Sequence, residues 1–181
     1  GLIAGTALMT AVIVCVPVSA EAYHGALSTA DATILGTGNW FVTGPMSLEW
    51  WVTQNQDLSW HYRYYFTHPS GATSHFILEV STTFTREDIF NAEGDFGGLD
   101  LGTFDAGGDN PSIPGPIFGI KFDETWGNET TLEFDSSRAP MWGDFYAKDG
   151  AALYGDAERG PVFNTAYNSG FSAGSELTGP A

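Results

Sequence analysis

The stretch that decides the fold covers residues 113–150. It opens with Ile113-Pro114-Gly115-Pro116 and the run Ile117-Phe118-Gly119-Ile120-Lys121-Phe122-Asp123. A second run, Thr130-Thr131-Leu132-Glu133-Phe134-Asp135, follows a turn at Trp126-Gly127-Asn128, and a third occupies residues 141–150. Each run is short and is closed by Pro, Gly, Asn or Asp, a pattern typical of antiparallel strands joined by turns. The stretch therefore predicts a β-rich fold, and by itself it names neither a ligand nor a reaction.

Alternation of apolar and polar residues extends this prediction to the rest of the chain. Residues 46–53, 59–67 and 73–81 read as strands, and we interpret the last two as a hairpin around the turn His68-Pro69-Ser70-Gly71. We expect a strand or arm within 23–44, a helical turn within 84–91, a long loop over 93–116 and a last strand at 161–167. Without βαβ alternation, the pattern favours an all-β fold, a single antiparallel β-sandwich or jelly-roll-like domain.

The charge balance limits the partners of such a domain. The 181 residues include 22 acidic and 6 basic side chains, a formal net charge of −16. This field repels nucleic-acid phosphates and anionic lipid headgroups, which argues against both as partners. It suits an exported soluble domain, or one that collects cations.

Residues 1–22 differ in kind from the rest. Residues 2–18 are apolar or small with no charged side chain, and Ala20-Glu21-Ala22 forms a small-x-small site. We interpret the segment as a signal-peptide helix that is cleaved after Ala20 or Ala22, with a short membrane anchor as the alternative. Cys15 lies inside it, so we expect no disulfide in the mature domain. The predicted organisation is a leader over 1–22, a β-sandwich over 23–168 and a linker over 169–181.

Three segments resemble one family of exported bacterial proteins. They are Ser74-His75-Phe76-Ile77-Leu78-Glu79-Val80-Ser81, residues 111–122 and residues 137–150. Together they resemble the passenger domains of PEP-CTERM proteins, which an exosortase sorts, over about residues 50–170. The resemblance implies export and association with the cell envelope or an exopolysaccharide matrix. It also implies a Pro-Glu-Pro, an apolar helix and a basic cluster; none precedes Ala181, so we expect either a longer gene product or no sorting signal.

The Gly-rich segment 95–110 carries four carboxylates, from Asp95, Asp100, Asp105 and Asp109. Calcium binds six to eight oxygen ligands in flexible sites, so these aspartates are candidate calcium ligands. The spacing matches neither an EF-hand nor a nonapeptide repeat, and a solvated acidic loop is the alternative. No other cofactor is predicted.

Aromatic residues away from the predicted core faces are candidates for stacking on sugar rings. They are Trp51, Tyr65, Trp126 and Tyr146. Aromatic side chains at interfaces combine an apolar ring with a polar group, and burial of these rings under loops is the alternative.

Two further sets of residues carry groups that catalysis or metal binding can use. Glycoside hydrolysis needs two nearby acids, and Glu49, Glu79 and Glu133 stand on predicted strands without a local motif. His61, His68 and His75 recur every seven residues, and we interpret them as ordinary strand and turn histidines.

The sequence thus predicts a secreted, non-catalytic β-sandwich of the bacterial envelope or exopolysaccharide matrix. A carbohydrate-binding module and a glycan-cleaving enzyme are the alternatives.

Overall fold

Two antiparallel sheets pack face to face in a computed structural model, which describes residues 22–107, 109–125, 127–153 and 162–171. The five-stranded sheet contains, in spatial order, β1 (Ala22–Ser28), β3 (Ser47–Gln54), β4 (Trp60–Thr67), β9 (Glu129–Ser136) and β6 (Ile89–Gly94). The six-stranded sheet contains β2 (Ile34–Thr37), β11 (Val162–Asn168), β10 (Phe145–Leu153), β5 (Thr73–Glu79), β8 (Ile117–Asp123) and β7 (Gly98–Phe104). A short helix, α1 (Gly38–Thr43), follows β2, and a 3-10 turn (Arg86–Asp88) precedes β6.

The core lies between the two sheets and is rich in phenylalanine. Phe66 of β4 contacts Phe76 of β5 across the interface, with ring centroids 5.5 Å apart, and Phe122 of β8 meets Phe134 of β9 at 6.0 Å. All four rings are at most 4% exposed. The alternation of each strand puts these rings on its inner face, and the predicted all-β sandwich is confirmed.

The predicted hairpin between 59–67 and 73–81 is wrong. β4 pairs with β3 and β9, whereas β5 pairs with β8 and β10 in the other sheet. The turn after β4 therefore carries the chain across the core. Both arrangements bury the same inner faces, and the local alternation does not distinguish them.

The predicted loop over 93–116 is also wrong in part, because β6 extends to Gly94 and β7 occupies Gly98–Phe104. Leu99 and Leu101 of β7 pack against the core, while its outer edge is unpaired within the described part of the chain. The many glycines of this segment favoured a loop in the prediction, although Leu99 and Leu101 alternate with small or polar residues as in an edge strand.

A second apolar cluster covers the outer face of the six-stranded sheet. Ile77, Ile117 and Tyr146 on the sheet pack with Ile113 of the preceding segment, and all four are at most 5% exposed. Residues 109–116 thus fold back over the sheet. The aromatic and aliphatic residues on this face are core residues of a three-layered region.

The N-terminal part contains a helix that the sequence did not indicate. Trp40 of α1 is fully buried, and its Nε1 donates to the carbonyl oxygen of Ser70 at 2.6 Å. The predicted leader falls almost entirely outside the described residues, and the strands run from Ala22 to Asn168. Within the described ranges, no helix is long and apolar enough to span a bilayer.

Candidate functional site

A pocket of about 80 Å³ opens between the sheets, where β4 and β9 face the end of β5. Its walls come from both sheets and from the segments that follow β5 and β9. The apolar lining consists of Tyr62, Tyr64, Leu78, Val80, Phe84, Phe134 and Met141, and the polar lining includes Glu79, Ser81, Ser136 and Arg138.

The aromatic wall follows from the registers of β4 and β9. Tyr62 lies opposite Phe134, and their rings stack with centroids 4.9 Å apart. Tyr64, two residues along β4, stacks on the same Phe134 ring at 6.3 Å. Burial raises the pKa of both tyrosine hydroxyls well above the ordinary value, so each keeps its proton and can donate a hydrogen bond.

Trp142 stands beside this pocket and is 65% exposed. It meets the ring of Trp50 edge to face, with centroids 6.1 Å apart and an interplanar angle of 86°. Trp50 in turn lies opposite Tyr64 in the β3–β4 ladder. The exposed indole thereby packs against Trp50, next to the pocket residues Tyr64 and Met141.

Glu79 ends β5 beside the pocket, and it stands on the same face of that strand as Ile77, the outer face of the six-stranded sheet. Its Oε2 accepts a hydrogen bond from the backbone N–H of Asp144 at 2.8 Å. Burial raises the pKa of Glu79, the nearby Asp144 carboxylate raises it further, and the hydrogen bond opposes both effects. Glu79 is half-buried, and one of its carboxylate oxygens is already bound.

The guanidinium of Arg138 is engaged outside the pocket. It donates to the carbonyl and the hydroxyl of Thr83 at 3.2 and 2.9 Å, and Nη1 lies 3.6 Å from Oδ2 of Asp88. The positive charge on the pocket lining is therefore already paired.

We call the pocket, with its lining residues Tyr64 and Met141 and the neighbouring Trp50 and Trp142, the aromatic mouth. Within the described part of the chain, the indole N–H groups of Trp50 and Trp142 and the hydroxyl of Tyr64 make no hydrogen bond. The mouth therefore combines an exposed aromatic ring with free hydrogen-bond donors. Sugar binding uses the same combination of apolar stacking and a few placed polar groups.

Trp51, a predicted sugar-stacking residue, lies on the outer face of the five-stranded sheet. His24 of β1 stacks on it with centroids 5.0 Å apart, and the guanidinium carbon of Arg63 on β4 lies 5.7 Å from the ring centroid. These neighbours come from the strands on either side of β3. His24 and Arg63 therefore already contact the Trp51 ring that a sugar would have to stack on.

The other three predicted aromatic residues have different surroundings. Tyr65 is half-buried on the same outer face, and a hydrogen bond with Glu129 raises the pKa of its hydroxyl. Tyr146 is fully buried and donates from its hydroxyl to the carbonyl oxygen of Pro111 at 2.7 Å. The prediction of Tyr146 as a surface ligand-binding residue is therefore wrong, because residues 109–116 cover it. Trp126 lies outside the described residues.

The four predicted calcium ligands lie on separate segments. Asp95 follows β6 and accepts from the backbone N–H of Thr131 at 2.9 Å, and Asp100 stands on β7. Asp105 and Asp109 are exposed after β7. Across the described ranges, no three histidine, cysteine, aspartate or glutamate side chains form a group that could hold a metal ion. Because residues 98–104 form strand β7 and not a flexible loop, the four aspartates do not come together.

The predicted acids and histidines are likewise divided between the sheets. Glu49 and Glu133 stand on the outer face of the five-stranded sheet, whereas Glu79 stands on the outer face of the six-stranded sheet. His61 shares the outer face with Glu133, and His75 lies beneath the second apolar cluster, opposite Asp123. The three glutamates do not form one site.

A polar network that we did not predict from the sequence lies on the outer face of the five-stranded sheet. Asp135 accepts from His61 Nδ1 at 2.9 Å and from Asn91 at 2.7 Å. Asn91 has a φ of 51° at a bulge in β6, which turns its amide towards Asp135. Burial works to raise the pKa of Asp135, but the hydrogen bonds, including one from Asn55, outweigh it and leave the pKa below its ordinary value.

No family model, curated protein or solved structure matches this chain.

Proposed function

We propose that this chain is a non-catalytic β-sandwich that binds extracellular polysaccharide through the aromatic mouth. The observation that carries the proposal is the exposed Trp142 indole, which packs edge to face on Trp50 next to an aromatic pocket. An exposed aromatic ring beside free hydrogen-bond donors suits a sugar, which presents apolar ring faces and peripheral hydroxyl groups.

The cellular setting of the proposal comes from the sequence. The leader-like segment 1–22 and the resemblance to PEP-CTERM passengers support export to the cell envelope or an exopolysaccharide matrix. A polysaccharide ligand fits this setting, since a matrix protein has to adhere to the polymer around it.

Binding of the chain, expressed from residue 23, to an array of bacterial and plant glycans tests the proposal. We expect binding that falls about tenfold in Trp142→Ala, because stacking is lost while the exposed site leaves the fold intact. Phe41→Ala is the matched control, since Phe41 is 49% exposed on α1, whose Trp40 packs at the opposite end of β4. No binding to any glycan, or equal losses in both variants, would contradict the proposal.

Glycan cleavage is a second candidate function, and one observation favours it. Glu79 and Asp144 are two neighbouring acids beside the pocket; burial raises the pKa of Glu79, as a general acid requires, and the Asp144 carboxylate raises it further. Release of reducing ends from a bound glycan, abolished in Glu79→Gln, would establish this function. Binding without release would leave the non-catalytic role.

A further inference from the structure

The size of the pocket in the aromatic mouth limits what can enter it. Ligand-binding pockets commonly measure about 300–1,000 Å³, whereas this one measures about 80 Å³. A whole sugar ring does not fit, but one small substituent of a ring does. A bound saccharide would therefore keep its ring outside the pocket, where the exposed Trp142 follows the lining residue Met141.

The two charged residues beside the pocket are already engaged by the protein. The guanidinium of Arg138 donates to Thr83, and its Nη1 lies 3.6 Å from Oδ2 of Asp88. Glu79 stands on the outer face of the six-stranded sheet and accepts from the backbone N–H of Asp144. A charged substituent would therefore lose its water in the pocket without gaining a free opposite charge from either residue.

Among the uncharged polar groups of the lining, one hydroxyl is left for a ligand. Tyr62 donates to the carbonyl oxygen of Arg138 at 2.9 Å, and Ser136 Oγ accepts from the backbone N–H of Arg138 at 3.0 Å. The hydroxyl of Ser81 is bonded within its own turn. The hydroxyl of Tyr64 makes no hydrogen bond within the described part of the chain, and burial raises its pKa, so that it stays protonated. The pocket thus offers one donor.

The rest of the lining is apolar and consists of Leu78, Val80, Phe84, Phe134 and Met141. Such a surface favours a methyl group, which loses no hydrogen bond when it leaves water. An acetamido group combines a methyl group with an uncharged carbonyl oxygen that accepts a hydrogen bond. It therefore matches a small apolar pocket that offers a single donor. A hydroxyl group in the same place would bring no methyl group to this surface.

From these observations we infer that the aromatic mouth recognises a polysaccharide that contains N-acetylated amino sugars. This inference rests on the proposed function and narrows it. The methyl group of the acetamido substituent enters the apolar pocket, its carbonyl oxygen accepts from the hydroxyl of Tyr64, and the sugar ring stacks on Trp142. With 22 acidic and 6 basic residues, the field of the chain also repels uronate and sulfated polymers.

Calorimetric titration with two hexamers of the same linkage tests the inference, one of N-acetylglucosamine and one of glucose. We expect the N-acetylated hexamer to bind at least about tenfold more tightly. Tyr64→Phe removes the hydroxyl and keeps the ring, so it should remove most of this preference and leave binding of the glucose hexamer unchanged. Tyr65→Phe is the matched control, because it removes a tyrosine hydroxyl from the opposite face of the same strand.

The outcomes separate this inference from the proposed function. Equal binding of the two hexamers, or equal effects of Tyr64→Phe and Tyr65→Phe, overturns the acetamido assignment and leaves glycan binding in place. An absence of binding to every oligosaccharide and polysaccharide overturns both. A peptide with an acetylated lysine provides the acetamido group without a sugar, and if it binds as tightly as the N-acetylated hexamer, the sugar assignment is wrong.

Discussion

Gly25 lies directly against the indole of Trp50, so that a β-carbon at Gly25 would come within 2.1 Å of Cζ2 of that ring. The two residues are opposite each other in the β1–β3 ladder. Because Trp50 also holds Trp142, this glycine supports the aromatic mouth from the strand at the edge of the sheet. The absence of a side chain at Gly25 therefore leaves the space that Trp50 occupies. Trp50 in turn contacts the exposed Trp142 in the segment before β10.

Gly25→Ala should therefore displace Trp50 and disturb the mouth. We expect a loss of about 1–3 kcal/mol in the free energy of unfolding, together with weaker glycan binding. Urea denaturation measures the change in the free energy of unfolding, and a binding assay with glycans measures the change in affinity. Gly102→Ala is the control, since nothing lies within 4 Å of a β-carbon at Gly102 on edge strand β7. Equal behaviour of the two variants would show that the Gly25–Trp50 contact is unimportant.

Tyr146→Phe should lower the free energy of unfolding by about 1 kcal/mol, because the carbonyl oxygen of Pro111 loses its donor. Tyr146→Ala should cost about 3–5 kcal/mol, since it empties the centre of the second apolar cluster. Neither change should alter glycan affinity in the folded protein. A loss of affinity in folded Tyr146→Phe would restore the sequence-based role of Tyr146 in ligand binding.

Acidification should destabilise the fold through His75. Burial, together with the charges of Lys121 and Lys148, lowers the pKa of His75 to about 4, while Asp123 and a hydrogen bond with Asn110 oppose this shift. Because the unfolded chain protonates near the ordinary pKa of 6.5, the stabilisation from His75 is complete above pH 6.5 and is lost as the pH falls towards 4. The full loss is about 3 kcal/mol.

Urea denaturation between about pH 7.5 and pH 4.5 measures this dependence. In His75→Gln the free energy of unfolding should change less steeply with pH than in the unchanged chain, whatever its value at neutral pH. Parallel pH profiles of the two proteins would exclude His75 as the titrating group.

Asp135→Asn should destabilise the outer face of the five-stranded sheet by about 1–2 kcal/mol at neutral pH, since charge-assisted hydrogen bonds from His61 and Asn91 are lost. The pKa of Asp135 is lowered, so this stabilisation is present above the unfolded pKa and is lost as the pH falls through the folded one. The difference between variant and unchanged chain should therefore shrink in acid. Asp109→Asn, an exposed aspartate, serves as the control, and equal losses in both would refute the network.

Calcium at millimolar concentration should leave the melting temperature unchanged, because the structure does not gather Asp95, Asp100, Asp105 and Asp109. Differential scanning calorimetry with calcium and with chelator measures this. A rise of several degrees that Asp105→Asn abolishes would show that the aspartates do bind the ion.

The candidate site shows which of its features the alternation within a single strand can predict. Alternation along β4 puts Tyr62 and Tyr64 on one face of that strand, yet we sought ligand-binding aromatic residues on the outer faces. Trp142 stood within a stretch that we expected to be a strand, and the structure places it in the segment before β10. The exposure of Trp142 depends on the path of the chain between β9 and β10, and the residues next to Trp142 do not predict that path.

The sequence by itself determined that this chain is built of amphipathic strands, since period-two alternation and turn residues act over a few neighbouring positions. Only the tertiary structure decided which strands pair: it moved β5 away from β4, made an edge strand of β7 and buried Tyr146. These outcomes depend on contacts between residues far apart in the chain, and a strand's alternation defines its buried face without specifying the neighbour it pairs with.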